Sequence, residues 1–236
     1  MLRRMLVPAV ILLLPVLALA GCGDNQVSPV TATIAVGGDV APSTVATNVV
    51  TTASTASGAA PSTTIIAPGD LQPIVVPTLP AEIPGYTELD PATGLHVTGE
   101  PQVVDRESYR LKVTGKVAKP LSLTYDELRL LPKMTASSTL VCVGFFSDTT
   151  TWSGVPLATI LGMAGVQPQA ERIKMVSADG YSSTIDLERA LVPENLLAYE
   201  WMGGPLPVLH GFPVRAVLPY EDGNYWVKWL LEIVIE

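Results

Sequence analysis

No lysine or arginine occurs between Arg4 and Arg106. This gap covers a front whose composition differs from that of the rest of the chain. From Gly23 to about Ala81 the front is rich in Thr, Ser, Ala, Val, Pro and Gly and keeps no helical or strand period. A stretch such as Thr44-Val-Ala-Thr-Asn-Val-Val-Thr-Thr-Ala-Ser-Thr-Ala-Ser57 buries too little surface to offset its ordering entropy. The pattern predicts a disordered stalk over residues 22–84 and a folded domain over 85–236. β-structure formed by the Thr and Val residues is the competing reading. The hydrophobic fraction of 48% overstates the core, because both ends inflate it.

Residues 1–21 have the form of a targeting segment. Arg3 and Arg4 form its positive region, and Leu6 to Leu19 are apolar apart from Pro8 and Pro15. Leu19-Ala-Gly-Cys22 resembles the bacterial lipobox, which implies cleavage before Cys22 and a lipid on its sulfur. The apolar run is short for a membrane span and is broken by prolines. A lipid on Cys22 would anchor the mature chain to a membrane outside the cytoplasm. Arg3-Arg4-Met5-Leu6 also resembles a twin-arginine export signal, the route of proteins that cross already folded.

The net charge is −8, and the domain from residue 85 carries −6, from twelve basic and eighteen acidic residues. No basic run is present, so nucleic acid is excluded as a partner. Within the domain, Tyr109–Thr114 and Arg172–Ser177 alternate apolar and polar and are predicted strands. Ala136–Val143, Ser182–Ile185, Leu197–Trp201, Val214–Leu218 and Tyr225–Ile235 also read as strands, and Phe145–Thr151 as a polar loop. Thr124 with Glu127 forms a capping-box pattern that opens a short helix, and Pro156 opens another through Ala164, closed by Gly165. Asp186 caps a third, through Leu191. The fold class is α+β: mixed short strands with a few short helices.

With Cys22 assigned to lipid, Cys142 has no disulfide partner. It sits in Thr139-Leu-Val-Cys-Val-Gly144 at the end of an apolar strand. On residue type alone it is either a small buried hydrophobe or a thiolate ligand for a soft metal.

Several segments recur together in order. They are Cys142, Trp152-Ser-Gly-Val-Pro-Leu157, Asp179-Gly-Tyr181, Leu196-Leu-Ala-Tyr-Glu200, Gly204-Pro-Leu-Pro207, His210-Gly-Phe-Pro-Val-Arg215 and Val227-Lys-Trp-Leu230. This ordered set, with Tyr109–Gly115 and Leu121–Leu128 upstream, resembles the molybdopterin-binding domain of the sulfite oxidase family over roughly residues 100–236. The resemblance implies a sulfite-oxidase-like molybdopterin-binding fold. It also implies a molybdenum-molybdopterin cofactor whose metal is bound by Cys142, and two-electron oxygen-atom transfer on a small-molecule substrate. His210, Arg215 and Lys228 match residues that lie on the cofactor and offer donors to its phosphate. Gly211 and Gly223 would let the backbone approach the cofactor, and Tyr181 matches a tyrosine placed beside the metal. Each also has a plain reading: solvated strand positions for Arg215 and Lys228, a turn for His210 and the glycines, a core tyrosine for Tyr181. Trp152 reads as packing against the following helix, and Trp226 and Trp229 as core on the last strand.

Two departures bear on function. The basic run that follows the cysteine in sulfite oxidases is here Val143-Gly-Phe-Phe-Ser-Asp148, which supplies no positive charge for an anion and argues against sulfite. The family's upstream Arg- and His-bearing segment has only His96 as a candidate. No haem-domain signature is present, so electrons would pass to or from an external donor or acceptor. The rival readings are a cofactor-free binding or scaffolding lipoprotein that keeps the fold, and a thiol redox protein using Cys142 alone.

Overall fold

The computed structural model describes residues 63–236. The targeting segment, Cys22 and the front of the predicted stalk lie outside the described residues.

The stalk's expected end at residue 84 moves upstream. β1 (Thr63–Thr64) pairs antiparallel with a later strand at Met134 and Lys133. Arg129 donates to the Gln72 carbonyl at 2.7 Å, and Ile74 packs against the core. A segment without lysine or arginine can still dock through backbone carbonyls and single aliphatic side chains, signals too sparse to read as a period.

The remaining strands are β2 (Leu111–Gly115), β3 (Leu121–Leu123), β4 (Lys133–Cys142), β5 (Phe146–Pro156), β6 (Arg172–Ser177), β7 (Ser182–Asp186), β8 (Leu196–Trp201), β9 (Gly204–Pro205), β10 (Arg215–Val217) and β11 (Leu230–Ile235). One sheet runs β1-β4-β5-β8-β10 with β9 beside β8, and the other β3-β2-β11-β6-β7. All pairs are antiparallel except β2 with β11. Three short helices, α1 (Tyr125–Leu130), α2 (Leu157–Ala164) and α3 (Leu187–Ala190), complete the α+β architecture.

α1 starts where Thr124 accepts from the Glu127 N–H at 3.1 Å while Glu127 accepts from the Thr124 N–H at 2.8 Å, a complete capping box. α2 ends at Gly165 in the left-handed region. α3 starts at Asp186, whose side chain makes no capping bond. Leu111, Val113, Ile173, Met175 and Ile233 of the second sheet and Val155, Leu197 and Ala198 of the first join one continuous core. Among the described residues no helix is long and apolar enough to cross a membrane.

Two predicted boundaries are corrected. Phe145–Thr151 is not a loop: β5 begins at Phe146 and pairs with β4 in register from Cys142↔Phe146 to Met134↔Gly154. Its polar side chains are cross-strand partners, with Thr139 and Thr149 hydroxyls 2.8 Å apart and Thr135 and Ser153 also 2.8 Å apart. The turn is only Val143-Gly144-Phe145, closed by the Phe145 N–H on the Cys142 carbonyl at 2.9 Å. At the C-terminal end, the last strand starts at Leu230 rather than Tyr225. Trp226 and Trp229 are core residues, but in the irregular segment before it.

Candidate functional site

Two basic side chains, Arg215 and Lys228, and two histidines, His96 and His210, converge on a small cavity of about 40 Å³ lined also by Asp148, Trp152, Gly223 and Trp226, among others. Arg215 opens β10 and is 4% exposed, with no carboxylate of the described residues within ion-pair distance. Its Nη1 donates to the His210 carbonyl at 3.2 Å, its guanidinium stacks 4.6 Å from the Trp152 ring, and its Nε has no partner. Burial pushes its pKa down to about 9. Lys228 is half-buried, and its ammonium donates to the carbonyls of Thr98 and Leu209. Burial first, then the charge of Arg215, brings its pKa down to about 7. These are not solvated strand positions. Charge this concentrated and this poorly compensated is costly unless an anion shares the cavity.

His210 closes the 3-10 turn Val208–His210 and is 2% exposed. Its Nε2 lies 3.0 Å from Asp90 Oδ2 and 2.9 Å from Thr93 Oγ1, and Thr93 in turn donates to Asp90 at 2.9 Å. Burial works against the Asp90 charge, but the Ala92 N–H, Thr93 and His210 together hold its carboxyl below the ordinary range. A carboxylate only accepts, so the proton sits on Nε2. Burial, reinforced by Arg215 and Lys228, lowers the His210 pKa to about 4, so the ring is neutral at pH 7. The expectation that His210 donates to the cofactor is thereby narrowed. Nε2 is spent on Asp90, and the remaining nitrogen, Nδ1, is an acceptor until the ring gains a second proton.

A second cleft of about 340 Å³ adjoins the first and shares Thr98, Gly223, Trp226 and Lys228 with it. Cys142 and Tyr181 both line this cleft, together with Tyr86, Asp179 and Trp229. Burial and the Asp148 carboxylate hold the free Cys142 thiol above its usual pKa. A thiol that keeps its proton is a poor redox nucleophile, which removes the support for thiol chemistry by Cys142 alone. Tyr181 is 46% exposed rather than core, and its hydroxyl donates to the Asn224 carbonyl at 2.7 Å. Its proton is therefore committed to the loop, and it faces the cleft as a ring and an acceptor oxygen.

The two glycines serve protein packing. At Gly211, with φ +111°, a Cβ would meet Arg215 Cβ at 3.0 Å and Lys228 Cβ at 3.2 Å, so its absence lets both cation stems close in. At Gly223 a Cβ would meet Leu140 Cδ2 at 2.9 Å and the Val141 carbonyl at 3.1 Å, the strand that carries Cys142.

Sequence reasoning undervalued residues 85–98. Thr87 and Val97, Glu88 and Val97, and Asp90 and Leu95 are joined by backbone hydrogen bonds of 2.8 Å, making a small hairpin over the cavity. From it Asp90 and Thr93 hold His210, and Thr98 holds Lys228. His96 Nδ1 is 2.7 Å from Asp148, and its ring stacks on Phe146 at 4.3 Å and 11°. The lone His96 in the sequence was the available signal; Asp90 carried none. Asp148, which looked like lost basic charge, is the partner of His96.

Among the described residues no three His, Cys, Asp or Glu side chains group to hold a metal unaided. What the site offers is one thiol beside a set of buried cationic donors. The donor set and the unpartnered Arg215 Nε suit an anionic group.

The chain matches the family described as the oxidoreductase molybdopterin binding domain over residues 98–236. It is 33% identical over 136 residues to a proposed protein-methionine-sulfoxide reductase subunit, YedZ1, of Azospira oryzae, covering 58% of this chain and 52% of that one. To the uncharacterized oxidoreductase YuiH of Bacillus subtilis it is 31% identical over 139 residues, covering 58% and 69%. With mitochondrial sulfite oxidase of Rattus norvegicus it shares 33% identity over 163 residues, 56% of this chain and 30% of that one. The solved sulfane dehydrogenase SoxCD of Paracoccus pantotrophus superposes with a TM-score of 0.58 at 25% identity, covering 65% of this chain and 44% of that one. The chain thus spans about half the length of the Azospira protein and less than a third of the rat enzyme.

Proposed function

The chain belongs to the oxidoreductase molybdopterin-binding domain family, and on that premise we propose that it is an extracytoplasmic, lipid-anchored molybdenum oxidoreductase acting on a small uncharged substrate. The observation that carries this reading is Arg215: buried, without a carboxylate partner among the described residues, and lining one cavity with Lys228. A cofactor-free scaffold would keep that charge at a cost with nothing to offset it.

In this reading Arg215 and Lys228 would hold the anionic end of the cofactor, with His96 and His210 on the cavity wall. Cys142, in the adjoining cleft, would be the protein's ligand to molybdenum, bound as its thiolate. The bound cofactor supplies two-electron redox and with it oxygen-atom transfer. Around the cleft the chain sets selectivity through Tyr86, Tyr181 and Asp179, and the one cation among its lining residues, Lys228, gives two N–H groups to carbonyls and keeps the third for the cofactor. Such a mouth favours a neutral group over an anion. The Azospira relative is named for methionine sulfoxide, whose S=O is uncharged; that chemistry fits here better than sulfite. Electrons pass to or from an external donor or acceptor.

The test is the molybdenum and pterin content of protein purified from its own host. Near-stoichiometric metal is expected in the parent, and a folded Cys142→Ser variant should carry almost none. Full metal in that variant would end the ligand assignment. For the anchor, Cys22→Ser should shift the protein from the membrane fraction to the soluble one, and an unchanged distribution counts against lipid on that sulfur.

A further inference from the structure

Of the four indoles in the domain, three have spent their N–H. Trp201 donates to Thr150 Oγ1 at 2.9 Å, Trp226 to the Glu221 carbonyl at 3.1 Å and Trp229 to the Val208 carbonyl at 2.8 Å. Trp152 alone is left: its Nε1 is buried without a partner, although the residue is only 2% exposed. It lines the small cavity with Arg215, the other residue there whose buried N–H is unpartnered. The Trp152 ring is also the platform on which the Arg215 guanidinium rests. Packing against α2 accounts for the ring but not for a donor left bare, since Phe would pack there with no unmet bond. Buried indole N–H groups ordinarily find an acceptor.

We propose that Trp152 is a cofactor-binding residue: its indole N–H donates to the anionic end of the molybdenum cofactor, in the cavity where Arg215 supplies the charge. The assignment rests on the reading that this cavity takes the anionic end. An indole N–H carries no charge to neutralise and cannot titrate, so it contributes direction rather than attraction. It accepts only a group that brings a lone pair to that corner of the cavity. Both unpartnered groups are donors and one of them is charged, so an oxyanion meets both needs, whereas a neutral carbonyl leaves the guanidinium charge uncompensated and an apolar ring edge meets neither.

The experiment compares full-length parent with Trp152→Phe, which keeps the stacking platform and removes the donor. Benzothienylalanine at the same position keeps the bicyclic volume as well. Loaded proteins are dialysed in parallel, and molybdenum and pterin per chain are followed with time. Both replacements are expected to lose pterin roughly tenfold faster than the parent, the effect of one hydrogen bond to a charged acceptor. Their cofactor-free forms should melt at or above the cofactor-free parent, because a buried unpaired donor has been removed. Unchanged retention overturns the proposal and assigns the indole to a water, for which the cavity has room. Equal destabilisation of loaded and cofactor-free forms overturns it as well, in favour of packing alone. A parent that holds no pterin sinks the cofactor reading and this assignment with it.

Discussion

At the scale of single residues, the site is defined by charge moved inward. Lys228 shows the consequence for stability. Its pKa falls from the usual lysine value near 10.5 to about 7 because burial and Arg215 disfavour the ammonium. Between those values the unfolded chain binds a proton that the folded chain does not, so stability rises with pH across that window. His210 repeats the pattern lower down, between its ordinary 6.5 and about 4. The cofactor-free protein should therefore gain stability from pH 7 to 9, with a slope approaching one proton. Lys228→Met should flatten that rise, and bound cofactor should flatten it too by restoring a reason for the ammonium to stay charged. Chemical denaturation across this range checks the slope. An equally steep rise in Lys228→Met would show that another group is responsible.

At the scale of elements, legibility in the sequence followed locality. α1 could be read because Thr124 and Glu127 complete their capping box within four residues, and α2 because Gly165 closes it in the left-handed region. β5 was misread because Ser147, Asp148, Thr149 and Thr150 look like loop composition. In place they are the second strand of a hairpin whose hydroxyl pairs have no sequence period of their own. The cations of the site were legible as types in order, His210 to Arg215 and then Lys228. Their burial was not, since it depends on Gly211 admitting the two stems and on a hairpin more than a hundred residues upstream. That hairpin, residues 85–98, lies almost wholly outside the matched span of 98–236. It nevertheless grips the site three times, at His210 through Asp90 and Thr93, at Asp148 through His96 and at Lys228 through Thr98. No local pattern announces a carboxylate whose partner is 120 positions away.

At the scale of the whole molecule, the inner and outer charges oppose each other. Arg215 and Lys228 point their charge into the cavity, while the domain as a whole carries −6. An approaching anion meets the outer sign first, and at the cleft it meets exposed Asp179 and two tyrosines with no free cation among the residues lining it. Low-dielectric walls and single-sign surfaces steer charged substrates through association rates, and such steering weakens with salt. A neutral sulfoxide is indifferent to that field and finds aromatic surface at the mouth. If the proposed function holds, the loaded protein, supplied with an artificial electron donor, should reduce methionine sulfoxide in a short peptide with little dependence on ionic strength. With an artificial acceptor, its kcat/KM for sulfite should be lower by roughly a hundredfold, the scale of about 2–3 kcal/mol of unmet charge. That value should rise as added salt screens the repulsion. Sulfite turnover matching that of the sulfoxide at low salt would show that the buried cations, and not the acidic exterior, decide which substrate reaches the site.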